Sequence, residues 1–239
     1  MSTKFFLITL EKRRKLSEEN AALINEYLGE AVIVPGYNPS SIKESEFLDY
    51  SQKFISRYDV SPLLNQLACL RAHVQAMTAF LETEDEYCVI GEDDFTFQRD
   101  DLIRQALARY TPNSGLLINF GGFQGLPVEK MRVMDKEGFV PTSKLRLIHM
   151  MALYCVDRSF ACQYVRHAEE LGLNNDDWKG LHAEGFYKVL KLQPSIYHGD
   201  ETSILDPRSS RGYENSLLGL KIFLHNLLSR QLSVPVVPK

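Results

Sequence analysis

Two apolar runs of strand length, set one helix apart, constrain the fold most. Lys4 to Leu10 (Lys-Phe-Phe-Leu-Ile-Thr-Leu) is one, and Ala31 to Val34, stopped by Pro35 and Gly36, is the other. Runs without polar alternation suit strands buried on both faces, as in sheets sandwiched between helices. Between them the pattern predicts a helix from about Ser17, a good N-cap with Glu18 and Glu19 in its first turn, to Gly29. The chain therefore opens as β-α-β, the unit of an α/β fold. Such an opening commonly starts a nucleotide-binding sheet, though a fold proves no function. Lys12, Arg13, Arg14 and Lys15 fall between the first strand and the helix. Guanidinium forks and helix-terminal amides there can hold a diphosphate, while a solvated basic turn is the plainer reading of any one of them.

The chemistry is expected at Glu92, Asp93 and Asp94, which follow the short apolar strand Tyr87 to Ile90. Three adjacent carboxylates repel one another and need a cation, hydrogen bonds or bulk water to offset that cost. In open α/β sheets ligands bind outside the carboxyl ends of strands, where this cluster falls. Hard divalent cations, Mg²⁺ or Mn²⁺, favour oxygen ligands and commonly hold a substrate phosphate as well. A solvated acidic turn is the competing reading.

The remaining elements follow from periodicity and punctuation. Residues 38–58 show no clean period and read as a loop with short helical pieces, able to close over a ligand. Leu63, Leu67, Leu70, Val74, Met77 and Leu81 mark a helix after Pro62, with Cys69 and His73 one turn apart on its flank. That spacing can ligate a metal but supplies two ligands only, so a satisfied buried histidine is favoured. A helix from Asp100 or Asp101, a strand from Gly115 to Phe120, a glycine-rich loop at Gly121, Gly122 and Gly125 and a hairpin about residues 136–138 come next. Leu145 to Val156 reads as strand, and Ser159 caps a helix ending at Gly172. Asp176, Asp177 and Trp178 then suggest a sugar-sized site, an aromatic face beside carboxylates, against the alternative of a helix cap with a core tryptophan. His198 lies in a polar loop, placed as a late metal ligand or a phosphate donor.

Composition narrows the class. With 239 residues and a net charge of -4 the chain can bury a large single domain and is not expected to bind nucleic acid through phosphates. Its four cysteines lie in apolar segments without a Cys-x-x-Cys pair, and Phe5 to Leu10 is too short and too closely followed by charges for a signal peptide. A cytoplasmic protein is expected. An apolar helix at residues 215–232 is expected to pack on the sheet, with contact to a membrane surface as the minor reading.

Several ordered blocks resemble glycosyltransferase family 25, which includes lipooligosaccharide and collagen galactosyltransferases. Leu7 to Leu10 with Arg13 and Arg14 is similar to its opening strand and arginine segment, Ala68 to His73 to its Gly-Cys-x-x-Ser-His helix, and Val89 to Asp94 to its acidic strand end. Leu153 to Ala161, Asp176 to Trp178 and His198 to Ser203 are similar to its later blocks. Ala68 and Ala72 replace the usual Gly and Ser, and Thr9 stands where Asn or Ser is common.

The resemblance implies a GT-A-like nucleotide-binding α/β sheet flanked by helices, with a less regular acceptor-binding second half: about 1–125 for the nucleotide sugar and about 126–239 for the acceptor. It implies inverting transfer of a hexose, galactose most of all, from a UDP-sugar donor to a lipooligosaccharide or other glycan acceptor, with Mn²⁺ or Mg²⁺. The expected roles are Glu92, Asp94 and His198 for the metal, Asp93, Arg13 and Arg14 for the donor, Asp176 or Asp177 as catalytic base and Trp178 beneath an acceptor sugar. A binding domain that has lost turnover, and a metal-dependent phosphotransferase, are the alternatives.

Overall fold

The computed structural model describes residues 3–121, 133–148 and 151–198, with the backbone alone at 197 and 198, all within one compact unit, Met1–Thr202. The expected helix at 215–232, Gly122, Gly125 and most of the closing polar segment lie outside the described residues.

Strands β1 (Lys4–Thr9) and β2 (Glu30–Pro35) pair in parallel around helix α1 (Arg14–Tyr27), giving the expected β-α-β opening. Helices α2 (Glu44–Tyr58) and α3 (Leu64–Leu81) lead to β3 (Tyr87–Glu92), which pairs in parallel with the other side of β1. After the short β4 (Phe95–Phe97) and α4 (Asp100–Leu107) come β5 (Leu116–Asn119), β6 (Leu153–Asp157), α5 (Arg158–His167), α6 (Trp178–Ala183), β7 (Val189–Leu192) and β8 (Ile196–His198). The six-stranded sheet has the order β2-β1-β3-β6-β5-β7, and β4 and β8 form a separate antiparallel ribbon. The mixed α/β sheet flanked by helices is the class expected. Only β6 runs against its neighbours within the six-stranded sheet, so the carboxyl ends of β1, β3, β5 and β7 share one edge.

Alternation explains why these strands are apolar throughout. Phe5 and Leu7 face one layer, with Ala21 and Ile24 of α1 and Ile103 of α4, while Phe6 faces the other and meets Phe80 of α3 edge-on at 6.2 Å. Each fully buried aliphatic or aromatic side chain contributes about 1.5–3 kcal/mol, so both faces of β1 are needed in the core. On α3 the buried face is Leu67, Leu70, His73, Ala76, Met77 and Phe80, displaced from the expected stripe, whose end Leu63 is exposed.

Three local expectations are corrected. Helix α1 begins at Arg14, not Ser17, because β1 passes straight into a 3-10 turn, Glu11–Arg13, closed by the Arg13 N–H on Leu10 O at 2.7 Å. Ser17 is therefore a buried interior residue. The segment read as a loop holds the 15-residue α2, whose buried Phe47, Tyr50, Ser51 and Phe54 have helical spacing masked by polar neighbours. Leu145 lies in a 3-10 segment, Thr142–Leu147, and the strand starts only at Leu153.

The cap of α5 is also displaced. Asp157, the last residue of β6, accepts from Phe160 N at 2.9 Å and from Asn113 N at 3.0 Å, whereas Ser159 is exposed. Asp157→Ala should therefore cost about 2 kcal/mol in urea unfolding, losing a cap and stranding a loop amide. Ser159→Ala should stay within about 0.5 kcal/mol; the reverse ranking would restore the cap to Ser159.

Candidate functional site

The acidic segment leaves the sheet at the carboxyl edge of β3, and the two-residue period of the strand sends its acids to different layers. Glu92 continues the face of Ile90 toward α3, while Asp93 turns toward α1. Asp93 Oδ2 accepts from Thr9 Oγ1 at 3.1 Å and from Leu10 N at 3.0 Å. Its Oδ1 accepts from Arg13 Nη1 at 3.0 Å, and the same nitrogen reaches Asp94 Oδ2 at 2.7 Å. Asn20 of α1 donates to Asp93 O at 3.4 Å and Phe95 O at 3.1 Å, holding the turn between β3 and β4. Burial raises the Asp93 carboxyl above the ordinary carboxylate range, and the Leu10 amide and Arg13 oppose it.

On the α3 face, Glu92 Oε1 lies 3.2 Å from His73 Nε2 and 3.6 Å from Cys69 Sγ, the thiol donating. His73 is fully buried, with Nδ1 2.8 Å from the hydroxyl of buried Tyr154. Both ring nitrogens thus have partners, as a satisfied buried histidine requires. Burial pushes the Cys69 thiol well up, and the charges of Glu92, Asp176 and Asp94 push it further. The acids of the strand end and of the later Asp176 segment therefore act on one sulfur. Asn175 Nδ2 also donates to Cys69 Sγ, at 3.3 Å.

Helix α2 holds that later segment. Tyr50 donates to Leu173 O at 2.9 Å, and the Tyr58 hydroxyl accepts from Asn174 N at 3.1 Å while donating to Asp177 Oδ2 at 2.7 Å. Asp177 Oδ1 caps α6 by accepting from Gly180 N at 2.8 Å. Asp176 accepts from Asn174 Nδ2 at 2.6 Å and is partly exposed.

Several expected site residues are placed elsewhere or otherwise engaged. Arg14 points to solvent and pairs with Glu18 one turn on, because the early helix start turns it away from Arg13. Asp93 faces inward to Thr9, Leu10 and Arg13, not outward to a donor. Asp177 has both oxygens engaged in structure. Trp178 is fully buried, edge-on to Tyr154 at 6.0 Å, so its faces belong to the core and not to a sugar. His198 pairs through its backbone with Phe95, and its side chain lies outside the described residues. Arg13, Glu92, Asp94 and Asp176 are brought to one end of the sheet. Asn20, Tyr58, Tyr154 and Asn175 were missed: each supports the site through a contact many residues away, which leaves no local signal.

Of the oxygen donors expected for a hard dication, Glu92 and Asp94, Asp94 is already paired with the Arg13 guanidinium. Cys69, His73 and Glu92 form a mixed set whose ligand atoms lie within 4.8 Å of one another. No helix among the described residues is long and apolar enough to cross a membrane.

No family model matches the chain, and no curated protein matches its sequence. Among solved structures it is similar to a glucose-1-phosphate thymidylyltransferase from Bacillus anthracis in complex with a sucrose, at 12% identity over 90% of this chain and 96% of that one, with a TM-score of 0.43. It is also similar to the inositol-1-phosphate CTP transferase of T. maritima, at 12% identity over 92% and 76% of the two chains, with a TM-score of 0.33. Likenesses this distant say nothing of the site, whose reading rests on its own residues.

Arg13 is the countercharge to two buried carboxylates, its side chain 13% exposed and theirs 5% each. Arg13→Ala should destabilise the protein by about 3 kcal/mol, since it strands buried charge. Arg14→Ala should cost less than about 1 kcal/mol because its pair is exposed. Chemical denaturation of the two variants checks this, and equal losses would remove Arg13 from its structural role.

Proposed function

We propose that the protein is a nucleotide-sugar-dependent glycosyltransferase that moves a hexose, galactose first among them, from a UDP-sugar to a glycan acceptor. The observation that carries this reading is the Arg13–Asp94 pair at the strand ends beside Glu92, which contacts Cys69, the same sulfur that Asn175, next to Asp176, touches from the second half of the chain. Family resemblance in the same blocks supports the choice of sugar transfer over other phosphate-linked chemistry.

The arrangement suits that reaction on electrostatic grounds. Carboxylates outnumber the guanidinium, so a diphosphate enters this edge of the sheet only with a cation. A divalent ion on Glu92 and Asp94 would neutralise charge developing on the leaving phosphate oxygen. Arg13 lies in the turn after β1 and fixes the Asp93–Asp94 pair from the nucleotide side. Asp176 is the base: its carboxylate takes the proton of the acceptor hydroxyl as that oxygen attacks the anomeric carbon and the bond to the diphosphate breaks. Asp177 is set aside for this role because cap and tyrosine already occupy its oxygens.

Nucleoside-diphosphate release from a panel of UDP-sugars, with glycan acceptors and with Mn²⁺ or EDTA, tests the proposal. One donor should support metal-dependent release, lost at least about 100-fold in Asp94→Asn, and Asp176→Asn should lose about 10²–10⁴-fold in transfer, the range of general-base catalysis. Binding of UDP without turnover under every donor and acceptor would favour a binding domain. Release of pyrophosphate from a nucleoside triphosphate and a sugar phosphate would replace sugar transfer by nucleotidyl transfer.

A further inference from the structure

The contacts that Glu92 makes with Cys69 and with His73 have the lengths of metal-polyhedron edges as well as of hydrogen bonds, and the three ligand atoms lie within 4.8 Å of one another. A tetrahedral ion with N and O ligands at about 2.0–2.2 Å and S at about 2.3 Å sets its ligands roughly 3.4 Å (N···O) and roughly 3.6 Å (S···O) apart. The observed separations are 3.2 Å for His73 Nε2 to Glu92 Oε1 and 3.6 Å for Cys69 Sγ to Glu92 Oε1. Cys69 and His73 stand at i and i+4 on α3, a rigid spacing that keeps both on one helix face.

The groups behind the ligands match what an ion needs. Tyr154 sits 2.8 Å from His73 Nδ1 and can accept its proton, the tautomer that would free the Nε2 lone pair for an ion in place of its hydrogen bond to Glu92. Asn175 donates to Cys69 Sγ at 3.3 Å, a contact that supports negative charge on sulfur. The Glu92 side chain is 27% exposed and Cys69 is partly exposed while His73 is closed, so the trio opens on the side of Glu92 and Cys69. Three protein ligands with one open side is the arrangement of catalytic rather than structural zinc, and a sulfur-nitrogen-oxygen set selects borderline ions over Mg²⁺ or Mn²⁺.

We propose that Cys69, His73 and Glu92 hold one zinc-class transition-metal ion, tetrahedral, with its fourth position open beside the acidic end of β3. The ion replaces the thiol proton, which leaves to water. The inference goes beyond the transferase reading: with Glu92 on this ion, Asp94 is left as the acid that serves the hard dication there. Its test reads the ion directly: failure here leaves UDP release to be judged on its own, and failure there leaves the metal site standing.

Metal-stripped protein titrated with Co²⁺, then with Zn²⁺, is the experiment, read by absorption and equilibrium dialysis with circular dichroism as the fold control. About one equivalent should bind, with a thiolate-to-cobalt charge-transfer band and visible bands of tetrahedral intensity that Zn²⁺ removes. Cys69→Ser should abolish the charge-transfer band and weaken binding at least tenfold, while Asn175→Ala and Tyr154→Phe should weaken it about 10–100-fold and keep the band. Cys162→Ser, the other partly exposed thiol, should change nothing. His73→Gln removes a buried ligand; if it fails to fold, Cys69→Ser, only partly buried, decides the matter. Absence of stoichiometric Co²⁺ and Zn²⁺ binding by folded wild-type protein, or binding undiminished in Cys69→Ser, would leave the trio a hydrogen-bond network and overturn the proposal.

Discussion

Three consecutive carboxylates at the end of a buried strand are the constraint on which the rest of the structure depends. Like charges at such spacing, removed from water, are unfavourable unless each finds its own compensation. The strand period does the first part by sending Glu92 and Asp93 to opposite layers. Arg13 then serves Asp93 and Asp94 together, the Thr9 hydroxyl and Leu10 amide serve Asp93, and His73 and Cys69 serve Glu92. The turn after β1, the start of α1 and one face of α3 are thus committed to holding these acids. This edge of the sheet is thus held by its own hydrogen bonds and ion pairs.

The second half of the chain reaches the same place by a different route. Helix α2 uses Tyr50 and Tyr58 to pin the segment from Leu173 to Asp177, and the Asp177 cap starts α6 there. Arg71 ties α3 to both neighbours, at 2.6 Å to Glu169 and 2.8 Å to Glu46. Asp176 and Asn175 are consequently carried on rigid supports, and Asn175 touches the same cysteine that faces Glu92. The buried Trp178, which looked like a platform for a sugar, is instead part of this support, packed on the Tyr154 that backs His73.

Much of the fold was legible in the sequence because its signals are local. The apolar runs of β1, β2, β3 and β5, the β-α-β opening and the long α3 need only period and punctuation to be read. The acidic strand end was legible as a place that needs compensation because its cost is evident without coordinates. Errors came where two local signals competed: Ser17 and Ser159 look like caps, yet strand ends already supplied the turn at Leu10 and the carboxylate at Asp157. Helix α2 was hidden because its exposed positions interrupt a four-residue buried stripe.

By itself, then, the sequence determined the sheet class, the order of most of its elements and the place along the chain where charge accumulates. The tertiary structure alone decided which of those charges meet. Cys69 and His73 gained a third candidate ligand only where β3 brought Glu92 to their helix face, and Arg13 was separated from its neighbour Arg14 by the direction each side chain takes, inward to Asp93 and Asp94 or outward to Glu18. Asp176 was separated from Asp177 in the same way, by a cap bond and a tyrosine hydroxyl from a helix 119 residues away. Periodicity tells which face a residue takes, but the partner across that face is set by packing between segments distant in the chain, and that packing is where this site is made.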